Sequence, residues 1–167
     1  MFLKSRIMTI SQNGIEFIKQ FEGCKLIAYP DPATGAEPYT IGIGSTLKPD
    51  GSKVRLGEII TEQQAHEYLE AHLAKHVYPA LSGLDLNQNQ FDALCSFVYN
   101  VGGGNFATST LKKRIVSGEG DIKTAFEMWN KAAGKVLSGL TKRREAEAEI
   151  DRKSTRLNSS HVSEISY

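Results

Sequence analysis

Residues 22–45, EGCKLIAYPDPATGAEPYTIGIGS, set two carboxylates and a threonine in three different backbone settings. The stretch before them reads as a helix: Ser11 is a candidate N-cap, and Ile15, Phe17, Ile18 and Phe21 form an apolar stripe at helical period. Glu22 falls four residues after Ile18 and seven after Ile15, which places it on the inward face of the last turn, with Gly23 suited to stop the helix. A carboxyl on that face is partly desolvated, the condition under which such a group keeps its proton and serves as a general acid. Asp31 stands between Pro30 and Pro32 in a stiff, polar turn, the setting of an ionised carboxylate. Beyond the turn, Tyr39, Ile41 and Ile43 alternate with Thr40, Gly42 and Gly44. That strand period puts the large side chains on one face and Thr40 among glycines on the other, where a substrate has room to lie against the backbone. One protonated and one ionised carboxyl beside an open groove is the arrangement of glycoside hydrolysis.

Taken singly, each residue has an ordinary structural use. A Glu at a helix end is commonly a solvated surface residue, an Asp between prolines a turn former, and a Thr in a strand a good strand residue. Gly42-Ile43-Gly44 lacks the third glycine and following helix of a dinucleotide-binding loop.

The combination carries more weight than its parts. A helix ending in FEG, then Ala28-Tyr29, Asp31 and a strand YTIGIG resembles the phage-type lysozyme family, the muramidase endolysins of tailed bacteriophages. The likeness continues through ITEQQA at 60–65, LNQNQFDALCSFVYNVGGGNFATSTL at 86–111, Trp129 and GLTKRREAEAE at 139–149, so it spans Met8 to Ile150 in the family's order. The resemblance implies Glu22, Asp31 and Thr40 as the catalytic residues and Thr46, Tyr99 and Asn100 as substrate contacts. Its Asp31–Thr40 interval is longer than in the shortest members, and Ser45 stands where many members carry a histidine after the second glycine.

The resemblance also implies an α+β, lysozyme-like fold: residues 8–60 form a small catalytic lobe with a β-hairpin sheet, residues 61–80 a connecting helix, and residues 81–150 a mainly helical lobe, all within one domain. The implied activity is hydrolysis of the β-1,4 bond between N-acetylmuramic acid and N-acetylglucosamine in bacterial peptidoglycan, without metal or organic cofactor, by a monomer. A lytic transglycosylase using Glu22 alone, or a catalytically silent wall-binding module, are the other classes to weigh; the Asp31–Thr40 pair speaks against the first and an intact Glu22 against the second.

Composition agrees with a globular enzyme. The 167 residues are 40% hydrophobic, enough for one core, and the net charge of +1 gives no electrostatic footprint for nucleic acid. Cys24 and Cys95 lack metal-ligand spacing, and Cys95 lies in an apolar helical run as a buried thiol, so a reducing compartment is the simplest setting. Lys4 and Arg6 interrupt any signal-peptide core, and no apolar run reaches membrane-spanning length. Together with the resemblance, this implies a product of the host cytoplasm with no membrane anchor, reaching the wall after a holin-like partner permeabilises the membrane.

Downstream the pattern is helical. Thr61 with Gln64 forms a capping box, and Ala65, Leu69, Leu73 and Val77 make one stripe of a long helix that Pro79 is expected to end. His72 and His76 have the i, i+4 spacing a metal can use, but no third ligand follows by spacing, and a solvated face is the expectation. Asn87, Ser109 and Asp121 read as N-caps, with Gly102–Gly104, Gly118 and Gly134 as stops. Lys142, Arg143 and Arg144 read either as a solvated charge run or as a contact for the anionic wall. Residues 151–167 show no period, fall outside the resemblance and read as a non-native disordered tail resembling translated sequencing adapter, while residues 1–7 read as an added leader before an original start at Met8.

Overall fold

The computed structural model describes the backbone of residues 7–164 and the side chains of residues 7–153. Helix α1 (Gln12–Glu22) is followed by strands β1 (Lys25–Tyr29) and β2 (Thr40–Gly42), then α2 (Glu62–His72), a π-helical turn (Leu73–Val77) and α3 (Tyr78–Leu81). Helices α4 (Gln88–Val101), α5 (Gly103–Ala107), α6 (Thr110–Ser117) and α7 (Ile122–Glu127) come next, then a small hairpin, β3 (Lys131–Ala132) and β4 (Lys135–Val136), and α8 (Ser138–Glu164). Two compact units result: Ile15–Pro79, and the N-terminal stretch up to Gly14 together with the chain from Ala80 onward. The leader expected at residues 1–7 lies outside the described residues except for Ile7.

Helix α1 starts where its cap predicts, the Gly14 N–H donating to Ser11 Oγ at 3.1 Å. Ile15 and Ile18 are its buried face. It ends at Gly23, whose φ of +74° lets the N–H turn back to the Lys19 carbonyl at 2.8 Å.

In the first unit, β1 and β2 pair antiparallel with Tyr29 opposite Thr40 and Lys25 opposite Gly42. Four steps along β1 thus match two along β2, so a bulge bends the ladder. The other edge of β1 is covered by residues 58–60: Ala28 N–H donates to Glu58 O and Ile60 N–H to Leu26 O, both at 2.9 Å. The alternation expected through Gly44 stops at Gly42. Gly42 and Gly44 adopt positive φ, +64° and +78°, and fold the chain into a tight turn in which Ile41 and Ser45 exchange both backbone hydrogen bonds at 2.9 Å. Ile41 and Ile43 are both fully buried as a result. Gly42 does not make room for substrate: a Cβ there would stand 3.2 Å from the Ala65 Cβ, so the glycine permits α2 to pack against the strand.

Helix α2 carries the expected capping box, with Gln64 N–H donating to Thr61 Oγ1 and Thr61 N–H to Gln64 Oε1. Ala65, Leu69, Leu73 and Val77 are its buried stripe. Pro79 does not end the helical path, which continues to Leu81. The Tyr78 N–H reaches back five residues to Leu73 O, and this widened turn changes the bonding register just before the residue that has no N–H to offer.

In the second unit, α4 opens with a capping box between Asn87 and Gln90, and Ser109 and Asp121 cap α6 and α7 as expected. Asp92 fastens the N-terminal stretch to α4: it accepts from the Ser11 N–H at 3.0 Å, from the Ser11 hydroxyl and from Gln88 Nε2 at 2.9 Å. Phe97 is the centre of an aromatic cluster, with Phe106, Phe126 and Trp129 edge-on at 5.5–6.2 Å. Cys95 is buried, which pushes its thiol pKa up and keeps it inert.

Helix α8 corrects the reading of Lys142–Arg144. Lys142 is exposed, but Arg143 and Arg144 are buried and therefore neither solvated nor available to a polymer. Arg144 Nε lies 2.8 Å from Glu147 Oε1, its Nη2 donates to Asn100 Oδ1 at 2.8 Å, and its guanidinium sits 4.9 Å over the Phe97 ring. Arg143 donates to the side chain and carbonyl of Ser96, at 3.3 and 3.2 Å. Glu147, fully buried, has its pKa raised to about 7 by desolvation, against the pull of Arg144 and Arg143. Charges are admitted to this core because each has a partner of opposite sign or a hydrogen bond.

Where a structureless tail was expected from Asp151, α8 continues to Glu164. Residues 151–164 contain neither proline nor glycine, and extending an existing helix costs far less than nucleating one. Residues 165–167 lie outside the described residues.

Candidate active site

Three of the six residues singled out from the sequence, Glu22, Asp31 and Thr40, lie on consecutive elements of the unit Ile15–Pro79, and all three are half-buried. Glu22 is the last residue of α1, and only Gly23 and Cys24 separate it from β1. Its position is therefore fixed by the buried face of the helix and by the positive-φ glycine that follows.

Asp31 lies two residues past the end of β1 and organises the turn that leads to β2. Its Oδ1 accepts from Ala33 N–H at 2.9 Å, its carbonyl from Thr34 and Gly35 N–H at 3.2 and 2.7 Å, and its own N–H donates to Ala36 O at 3.0 Å. A carboxylate held by its own backbone in this way is an Asx turn, which fixes the direction of the side chain without burying it. Thr40 is the first residue of β2 and the register partner of Tyr29. The ladder thus brings Thr40 and Asp31 to the same end of the hairpin, while Glu22 ends the helix that leads into the other end, where Lys25 pairs with Gly42.

Thr46 is exposed and lines a cleft of about 290 Å³ with Glu37, Pro38, Tyr39, Leu47, Lys53 and Val54. Glu37, Tyr39 and Lys53 were not singled out from the sequence. The signal that finds Lys53 is the turn Lys48-Pro49-Asp50-Gly51: Lys48 N–H donates to Ser52 O at 2.8 Å, Gly51 has φ +85°, and Leu47 pairs with Lys53, which carries Lys53 and Val54 back beside Thr46.

Tyr99 and Asn100 belong to the other unit, at the end of α4, where Tyr99 is half-buried and Asn100 exposed. The carbonyl oxygen of the Asn100 side chain is engaged by Arg144. Among the described residues no group of three His, Cys, Asp or Glu side chains gathers as a metal cage, and no helix is long and apolar enough to cross a membrane.

Residues 19–147 match the phage lysozyme family model. The chain is 42% identical over 143 residues to an endolysin of Bacillus phage B103, covering 84% of this chain and 52% of that protein. It is 41% identical over 145 residues to the endolysin of Salmonella phage P22, covering 84% of this chain and 96% of the relative. Among solved structures, an endolysin from Escherichia coli O157:H7 phage FAHEc1 superposes with a TM-score of 0.78 at 38% identity, covering 88% of this chain and 95% of the other. The helix, hairpin and helix series thus form a lysozyme-like α+β fold, and the chain belongs to the phage lysozyme family. It spans about half the length of the Bacillus phage endolysins it matches.

Proposed function

We propose that this chain is an endolysin that cuts the glycan of bacterial peptidoglycan, hydrolysing the β-1,4 bond between N-acetylmuramic acid and N-acetylglucosamine. The observation that carries the reading is the hairpin register: Thr40 stands opposite Tyr29 and Asp31 follows two residues later, so a carboxylate and a hydroxyl share one end of the ladder while Glu22 closes the preceding helix.

In this mechanism Glu22, protonated, donates to the departing glycosidic oxygen as the bond to the sugar lengthens. Asp31, half-buried in its turn, stabilises the positive charge that develops on the sugar ring or helps to activate an incoming water. Thr40 holds that water by its hydroxyl. Thr46, Tyr99 and Asn100 are assigned to the sugars as contacts, Asn100 through its amide nitrogen because its oxygen is held by Arg144. No metal or organic cofactor enters any step. The enzyme acts as a monomer made in the host cytoplasm, and a holin-like membrane-permeabilising protein gives it access to the wall.

Lytic transglycosylation of the same bond needs no water, and so leaves Asp31 and Thr40 without work. Mass spectrometry of purified peptidoglycan digested with the protein separates the possibilities. Hydrolysis at this bond yields fragments with a reducing N-acetylmuramic acid end; an anhydro-muramic end means transglycosylation, and an unaltered glycan means a silent binding module.

A further inference from the structure

The cleft that Thr46 borders carries charge for which a sugar chain has no counterpart. Its volume, about 290 Å³, falls just under the roughly 300–1,000 Å³ of small-molecule pockets, so it admits a short segment and not a polymer's length. Pro38, Leu47 and Val54 give it an apolar lining. Glu37 and Lys53 line it as well, an anion and a cation, both exposed. Among the described residues neither side chain is engaged in a hydrogen bond or an ion pair.

Backbone pairing fixes where these two residues stand. Val54 N–H donates to Thr46 O at 3.1 Å and Lys48 N–H to Ser52 O at 2.8 Å, which makes Leu47 and Lys53 a non-hydrogen-bonded pair of this short antiparallel ladder. Side chains of such a pair share one face and approach more closely than those of a hydrogen-bonded pair. The aliphatic stem of Lys53 is thereby held beside Leu47 while its ammonium remains in water. Glu37 follows Ala36, whose carbonyl accepts from the Asp31 N–H at 3.0 Å, so the anion of the cleft adjoins the turn that holds the proposed catalytic carboxylate. Lys48, the neighbouring cation, is paired with Glu58 at 2.8 Å.

We propose that this cleft reads the crosslink state of the peptide stem of peptidoglycan, Lys53 taking a stem carboxylate and Glu37 the free amine of a diamino residue; this rests on the reaction proposed for Glu22, Asp31 and Thr40. The glycan is uncharged once the lactyl group of its muramic acid is joined to a stem, so an anion and a cation at one cleft find their counterparts only in the peptide. The stem hangs from the same muramic acid whose bond is cut, and Thr46, assigned to the sugars, lines the same cleft. Crosslinking turns the diamino residue's ammonium into a neutral amide and leaves Glu37 without a counterion. Exposed charge pairs of this kind contribute modestly and are screened by salt, so the cleft selects among stems while the sugars supply the main affinity.

The test compares two substrates at low salt: soluble, uncrosslinked peptidoglycan strands with a diamino acid in the stem, and the same strands with the stem amines acetylated. Acetylation should raise the wild-type KM about two- to fivefold with kcat unchanged, the size of one exposed charge pair lost from binding alone. Glu37→Gln should erase the difference between the substrates. Lys53→Gln should raise KM by a similar factor on both, and Lys113→Gln, an exposed lysine of the other unit, should behave as wild type on both. Equal wild-type KM for the two substrates, or a difference that survives in folded Glu37→Gln, would overturn this proposal and leave the reaction as read. Titration of the wild-type chain with the free stem tetrapeptide adds a readout independent of cleavage and of any variant's folding. Its backbone amide shifts should gather at Glu37, Leu47 and Lys53 and shrink when the peptide's side-chain amine is acetylated; shifts elsewhere, or none, would overturn the proposal. With no cleavage of either substrate the proposed reaction falls, and this titration alone then decides the cleft.

Discussion

Tyr29 and Thr40 face each other across the β1–β2 ladder, and Asp31 follows Tyr29 by two residues, so the Asx turn at Asp31 and the first residue of β2 are fixed to one another by backbone hydrogen bonding. If Asp31 and Thr40 together direct a water at the sugar, the water enters on the face opposite the leaving oxygen and configuration inverts. NMR of fresh digests should then show the α anomer of the new reducing end first. An initial β anomer would mean that Asp31 acts as a nucleophile in a retaining reaction.

Gly14→Ala should destabilise the protein although it replaces glycine inside a helix. The substitution ordinarily gains about 0.8–1 kcal/mol of helix propensity. Here the new Cβ would stand 2.7 Å from Asp92 Cγ and 2.6 Å from Ile10 Cγ1, and neither atom is the end of a free side chain because Asp92 is held by Ser11 and Gln88. Overpacking of this kind costs about 1–3 kcal/mol, so the net effect is a loss of up to about 2 kcal/mol. Urea denaturation should give a lower midpoint at unchanged slope; a higher midpoint would show that the clamp yields without cost.

Glu147 makes a prediction about pH. Its pKa in the folded chain, about 7, exceeds the ordinary 4.5 because burial outweighs the attraction of Arg144 and Arg143. Between these values the native state holds the proton that the unfolded chain has released, so this group's contribution is most favourable below about pH 4.5 and declines as pH rises toward 7. Asp151, raised to about 6 by burial, acts in the same direction. Relative to Glu147→Gln, which does not titrate, the wild-type protein should lose stability from pH 5 to about pH 7.5 in parallel urea titrations. Curves that stay parallel, or diverge in the opposite sense, would show that the two arginines dominate and keep Glu147 ionised.

What the sequence made legible was local. The caps at Ser11, Thr61, Asn87, Ser109 and Asp121 are set by residues within three or four positions of each other, and all of them form. The positions of Glu22 and Asp31 follow from a helix face and a proline-flanked turn, which are equally local. Pattern failed where a distant partner decides. The alternation through Gly44 looked like a strand, but Gly42 and Gly44 turn the chain because α2 needs Ala65 close to the backbone. Arg143 and Arg144 looked solvated because a charge run shows only its own charges; the Phe97 ring, Ser96 and Asn100 that receive them lie more than forty residues away. Glu147, at three and four residues' spacing from the two arginines, was the one local hint of an internal ion pair.

The claim on which the mechanism rests is that Glu22 supplies the proton. Its direct test is the rate of wall clearing and of reducing-end release from purified peptidoglycan by Glu22→Gln, with circular dichroism and urea titration to show that the variant is folded. The amide preserves shape and cannot donate the proton, so activity should fall by at least the ~10²-fold typical of a lost general acid, with the fold largely intact. A folded Glu22→Gln protein that clears the wall at the wild-type rate would contradict the account.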